Sequence, residues 1–157
     1  MDDTRQVSAP PQCKQSPWEE IGVDIQPTTT QATSTADRPW LLSTYGTETN
    51  KTVTLDVSKF TSGTHYTAAA NGVPNRLKSG LPLAKVTASG LYAPYASGAS
   101  DGTEVLAGLL ETETAFNTGS TKVGAALRIV GDVARAKLPV ALTVPAAANR
   151  SDSIHFS

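Results

Sequence analysis

A mainly β fold, small and single-domain, with one or two short helices, is predicted by three features of the chain. The first is a clean period of two at Thr52-Val-Thr-Leu-Asp-Val57, where Val53, Leu55 and Val57 share one face and Thr52, Thr54 and Asp56 the other. The second is regular turn chemistry, such as Asn71-Gly72 and Ser89-Gly90, which punctuates short apolar runs. The third is composition: 157 residues hold 39% hydrophobic but only 17% charged side chains, and hydroxyl and small residues fill the difference.

The charge balance, formally -1 at neutral pH, lacks the basic face that displaces counterions from phosphates, so direct nucleic-acid binding is not expected. Cys13 is the sole cysteine, which rules out an internal disulfide and a cysteine-built zinc site; no cofactor is expected. No apolar run approaches the length of a bilayer span, and Met1-Asp-Asp-Thr-Arg lacks a signal core. Synthesis in a host cytoplasm, without membrane association, is the expectation.

Residues 1–37 read as a flexible arm. Pro10-Pro11, Pro17 and Pro27 break helices, and Thr28 to Thr35 offers no apolar period. One island interrupts it, where Trp18 precedes Ile21, Val23 and Ile25 at a spacing of two. Such an island either adds to a partner's exposed sheet edge or pairs within its own domain.

Residues 38–157 read as the β-rich domain. Leu83 to Thr87 is a strand entered through Ser79-Gly80 and Pro82 and closed by Ser89-Gly90; Leu91, Tyr92 and Tyr95 supply apolar bulk around Pro94, and Lys85 lays its stem along the buried side. Glu104 to Leu110 is a buried strand whose exposed end is Glu111-Thr-Glu-Thr114. Glu111 and Glu113, two apart, are expected on one solvent face rather than in a catalytic pair. Lys122 to Arg135 admits a helix, but Gly124 and Gly131 weigh against it by roughly 1 kcal/mol each, so two strands or one bulged strand are expected. A brief helix at Pro145 to Asn149 and a last edge strand at Ser153 to Ser157 complete the chain.

Candidate chemistry is sparse. Gly98-Ala-Ser-Asp-Gly102 matches a nucleophile elbow, with Asp132 and His155 following in hydrolase order. That motif requires a strand before the serine and a helix after it, whereas a loop and a strand are expected here, so the chain is not expected to be an enzyme. His65 and His155 are too few for a metal site. Among Trp40, Tyr45, Tyr92 and Tyr95, one or two are expected to face a partner.

The run Ser79-Gly-Leu-Pro-Leu-Ala-Lys-Val-Thr-Ala-Ser-Gly-Leu-Tyr-Ala-Pro-Tyr95 resembles the head decoration (capsid-stabilising) proteins of lambda-type tailed phages. It is closest in pattern to the branch found in actinobacterial phages, where Ser-Gly-x-Pro-Leu-Gly-Lys-Val-Thr-x-x-Gly-Leu-Tyr-x-Pro-Tyr is typical. The resemblance covers roughly residues 38–157 and is sharpest from 52 to 95. Ala84 and Ala93 depart from it, standing where glycine is usual.

The resemblance implies a homotrimer on the outer surface of a virion's head, cementing the major capsid protein lattice. In such an assembly the segment before about residue 60, which the resemblance covers only from 38 onward, is expected to supply the capsid contacts: Trp18, Ile21, Val23 and Ile25 of the arm with Trp40, Leu41, Val53 and Leu55. The implied trimer body is built on Gly80, Pro82, Leu83, Lys85, Gly90, Leu91, Tyr92, Pro94 and Tyr95. The alternative is a sugar- or cell-surface-binding β module on a phage tail or host structure.

Overall fold

Alternating burial is what turns residues 51–57 into the first wall of a barrel. In the computed structural model, which describes residues 37–157, Lys51–Asp56 forms β1 with Val53 and Leu55 buried and Thr52 and Thr54 exposed, as the period of two requires. The strands that follow are β2 (Tyr66–Thr67), β3 (Asn75–Leu77), β4 (Pro82–Lys85), β5 (Tyr92–Pro94), β6 (Leu106–Leu110), β7 (Thr114–Phe116), β8 (Lys122–Arg128), β9 (Val130–Val133) and β10 (Ser153–Phe156). Among the described residues the helical content is three single-turn 3-10 segments, so the fold is mainly β. The arm 1–37 and its Trp18, Ile21, Val23 and Ile25, together with Cys13, lie outside the described residues except for Asp37.

Five strands close a barrel in the order β1-β5-β4-β6-β8. The closure joins β1 to β8 along six antiparallel pairs, from Lys51 with Leu127 to Asp56 with Lys122, and to β5 by one parallel pair, Leu55 with Tyr92. Closing the sheet on itself removes the free edges that would otherwise invite aggregation. A second sheet, β2-β3-β7, packs Leu77 and Phe116 into the barrel's core beside Val57, Phe60 and Leu81. Tyr66 meets Phe116 edge-on, with centroids 5.0 Å apart.

β6 is buried along its whole length because it is shared by two cores. Ala107 and Leu110 enter the barrel core, while Leu109 packs with Trp40, Val133 and Ile154 in a second cluster outside it. That sharing explains why its sequence runs apolar without alternation. The β4–β6 register slips between Leu83 and Ala84, which pair with Gly108 and Leu106 respectively, so Ala107 is the extra residue of a bulge.

The C-terminal half splits at Ile129 rather than at Gly131, giving β8 to the barrel and β9 to a parallel pair with β10. Arg150 ties this pair down: it bonds the buried Asp152 carboxylate and the Ile154 carbonyl and lies 5.0 Å from the Phe156 ring. Asn71-Gly72 forms the expected turn with positive φ at both residues, closed by Val73 N–H donating to the Ala70 carbonyl at 2.9 Å.

Three sequence expectations are corrected, those on Tyr92–Pro94, Lys85 and Glu111. Tyr92–Pro94 is a strand, β5, not loose bulk, and it pairs with β4 through Leu83–Pro94, Ala84–Ala93 and Lys85–Tyr92. Lys85 is exposed rather than laid on the buried side, because it ends β4 where the sheet gives way to the turn before β5. Ala84 and Ala93 face one another in buried positions with ordinary φ, so no left-handed conformation is needed where the resembling pattern has glycine. Glu111 is 3% exposed and is therefore not the solvent end of a strand.

Candidate functional site

Local sequence gives the segment 38–50 little regular structure, and tertiary contacts fix it instead. Leu41 bridges Val133 of β9, Leu42 N–H donates to the Asp132 carbonyl at 3.2 Å, and Ala134 N–H donates to the Trp40 carbonyl at 2.8 Å. Trp40 is buried under Gly80, and its indole N–H donates to Ser79 Oγ at 2.8 Å. Gly80 has φ +81, and a Cβ built there would lie 2.6 Å from Trp40 Nε1. The glycine of the Ser79-Gly80 turn is therefore a seat for the indole as well as a turn residue.

Beneath the following loop lies a buried ionic cluster. Arg128, 0% exposed, directs Nη1 to Glu111 Oε2 at 3.1 Å, while Glu111 Oε1 accepts from Arg38. Arg128 Nη2 donates to the carbonyls of Ser43 at 3.2 Å and Tyr45 at 2.6 Å. One guanidinium thus joins β8, the residue after β6 and the loop at 43–45. Gly131, with φ +130, makes room for it, since a Cβ there would collide with Arg128 Nη2 and stand 2.8 Å from the Tyr45 carbonyl.

The loop held in this way carries the exposed large hydrophobics of the described residues: Leu42 is 54% and Tyr45 72% exposed. Tyr45 lines a shallow cavity of about 530 Å³ with Gly46, Thr47 and Val130. The usual disposal of a Leu and a Tyr this close in sequence would be into a core, and here the backbone that bears them is pinned from below.

The residues singled out in the sequence separate. Trp40, Val53 and Leu55, expected as capsid contacts, are buried in the domain's own cores, so their side chains are unavailable to a partner in this fold; the period that marks Val53 and Leu55 reports the barrel interior. Leu41 is half-buried against the second core. β1 is a barrel wall and does not belong to an arm. Gly80, Pro82 and Leu83 are buried, Lys85 and Gly90 are exposed, and Leu91, Tyr92, Pro94 and Tyr95 are half-buried. That run is a hairpin, turned by Gly90 N–H donating to the Val86 carbonyl at 2.9 Å.

Of the hydrolase-like set, Asp132 and His155 stand 3.6 Å apart across β9 and β10 and are both exposed. Ser100 lies in the loop between β5 and β6, which leads to a strand and not to a helix. The strand-to-helix elbow is not formed around it. No group of three or more metal-ligating side chains occurs among the described residues, and none of their helices is long and apolar enough to cross a membrane.

Sequence reasoning did not pick out Arg128 or Leu42, and it placed Glu111 on a solvent face. An arginine followed by β-branched residues and an acid directly after the run Leu106–Leu110 carry no local mark of being partners. Comparison with family models, curated proteins and solved structures yields no match for this chain.

Proposed function

We propose that the chain is a structural component of a phage virion that binds the outer surface of the head as a homotrimer and cements the major capsid protein lattice. The observation that carries this reading is the pinned 42–45 loop, with Leu42 and Tyr45 held toward solvent immediately after the segment 1–37. Apolar and aromatic anchors on a rigid backbone bind at low entropic cost, because the loop is ordered before the partner arrives.

The run Ser79 to Tyr95 supports the reading through its resemblance to lambda-type head decoration proteins, and the structure gives that run a scaffold role in the β4–β5 hairpin. The capsid contact is accordingly moved from Trp40, Val53 and Leu55 to Leu42, Tyr45 and the segment before them. A trimer would present three such loops together, which makes each later contact effectively intramolecular.

The test is co-sedimentation of the full chain with undecorated heads of the phage that encodes it, with sedimentation in solution giving the oligomer. Binding is expected at a stoichiometry near that of the capsid protein. The double variant Leu42→Ser with Tyr45→Ser is expected to fold normally and to lose about 2 kcal/mol or more of binding. Absence of the full chain from the sedimented heads would overturn the reading, and unchanged binding by the double variant would remove the loop from it.

A further inference from the structure

On the barrel, around the end of β5, two adjoining cavities of about 240 and 300 Å³ share a wall made by His65, Pro94, Tyr95 and Ala96. Tyr95 and Pro94 give this wall a half-exposed aromatic ring and a flat aliphatic one. Lys59 and Asp101 stand at the larger cavity's rim.

Two of the polar groups here, Asp101 and His65, are oriented by hydrogen bonds. Asp101 Oδ1 accepts from Thr103 N–H at 3.1 Å and from Thr103 Oγ1 at 2.5 Å, which sets the carboxylate's orientation. The same two bonds hold the carboxyl below the usual range, so it is an acceptor at neutral pH. His65 Nδ1 accepts from Thr61 N–H at 2.8 Å, so the proton of the neutral imidazole sits on Nε2 and can be donated. Its ring is braced edge-on by Phe60 at 5.8 Å. The Lys59 ammonium is a second donor.

The Asp101 carboxylate and the Lys59 ammonium carry opposite charges and interact with each other, so together they give the cleft no net charge that would draw in an ion of either sign. A ligand whose hydroxyls each donate and accept can satisfy the acceptor and both donors together, while its C–H face covers the Tyr95 and Pro94 rings. We propose that the Tyr95 cleft binds a neutral pyranose unit of a carbohydrate, with its hydroxyls on Asp101, His65 and Lys59. The inference does not depend on the capsid-cementing role.

The experiment is a titration of the full chain, followed by amide NMR shifts, with four probes: maltose, cellobiose, lactose and N,N′-diacetylchitobiose. At least one is expected to shift the amides of residues 95–103 with a dissociation constant on the order of millimolar, as suits a small open site. Asp101→Asn, at an exposed position that leaves folding intact, is expected to weaken that probe by about tenfold or more, the loss of a charge-assisted bond. Tyr95→Ala is expected to weaken it as well. Failure of all four probes to shift these amides would overturn the proposal, as would an Asp101→Asn variant that binds as tightly as the parent.

Discussion

Arg128 Nη1 stands 3.1 Å from Glu111 Oε2, with both side chains withdrawn from solvent. The pair is reached from the surface by Arg38 and capped by two backbone carbonyls, so Glu111 balances one arginine inside the fold and a second at its margin. Burying charges is costly, and the directional bonds each group makes offset part of that cost, although Arg128 Nε has no hydrogen-bond partner among the described residues.

Removing Glu111 leaves Arg128 as an uncompensated buried cation. Glu111→Gln is expected to cost about 3 to 5 kcal/mol in urea unfolding, the usual range for breaking a buried pair. The double variant Glu111→Leu with Arg128→Met is expected to recover much of that loss, because an apolar pair of similar volume needs no desolvation. Equal destabilisation by the single and double variants would show that the cluster's ionic character is not what matters.

Gly80→Ala tests the seat of Trp40. Alanine at φ +81 is strained by roughly 1 to 2 kcal/mol, and its Cβ would also press on the indole that Ser79 holds. A total loss of about 2 to 4 kcal/mol is expected, read by chemical unfolding together with a changed tryptophan environment. Parent-like stability would mean that the turn can relax without moving Trp40.

His65 sets a pH dependence. Burial, and after it the Lys78 ammonium, hold its imidazole below the ordinary value of 6.5. The unfolded chain therefore takes up the proton first as pH falls. The stability contributed by neutral His65 is complete above the unfolded value and is lost as pH drops through the folded one. Thermal midpoints measured from about pH 7.5 to about pH 5 are expected to fall more steeply for the parent than for His65→Gln. Parallel curves would exclude His65 as the source.

The sequence by itself determined the class of structure and much of its local grammar. Val53, Leu55 and Val57 marked a half-buried strand, Glu104 to Leu110 a buried one that forms over Leu106–Leu110, Asn71-Gly72 a turn with positive φ, and Ser153 to Ser157 a last strand that forms over Ser153–Phe156. Each of these is legible because side-chain period and turn chemistry act over a few residues. Tertiary structure alone decided which strands meet and which polar groups are buried. Leu55 pairs with Tyr92 to help close the barrel, Trp40 sinks beneath Gly80, and Arg128 bonds carbonyls 85 and 83 positions earlier in the chain. Nothing local distinguishes the buried Glu111 from the more exposed Glu113 two residues on. The difference arises because one carboxylate reaches two arginines, and that proximity exists only once the barrel has closed.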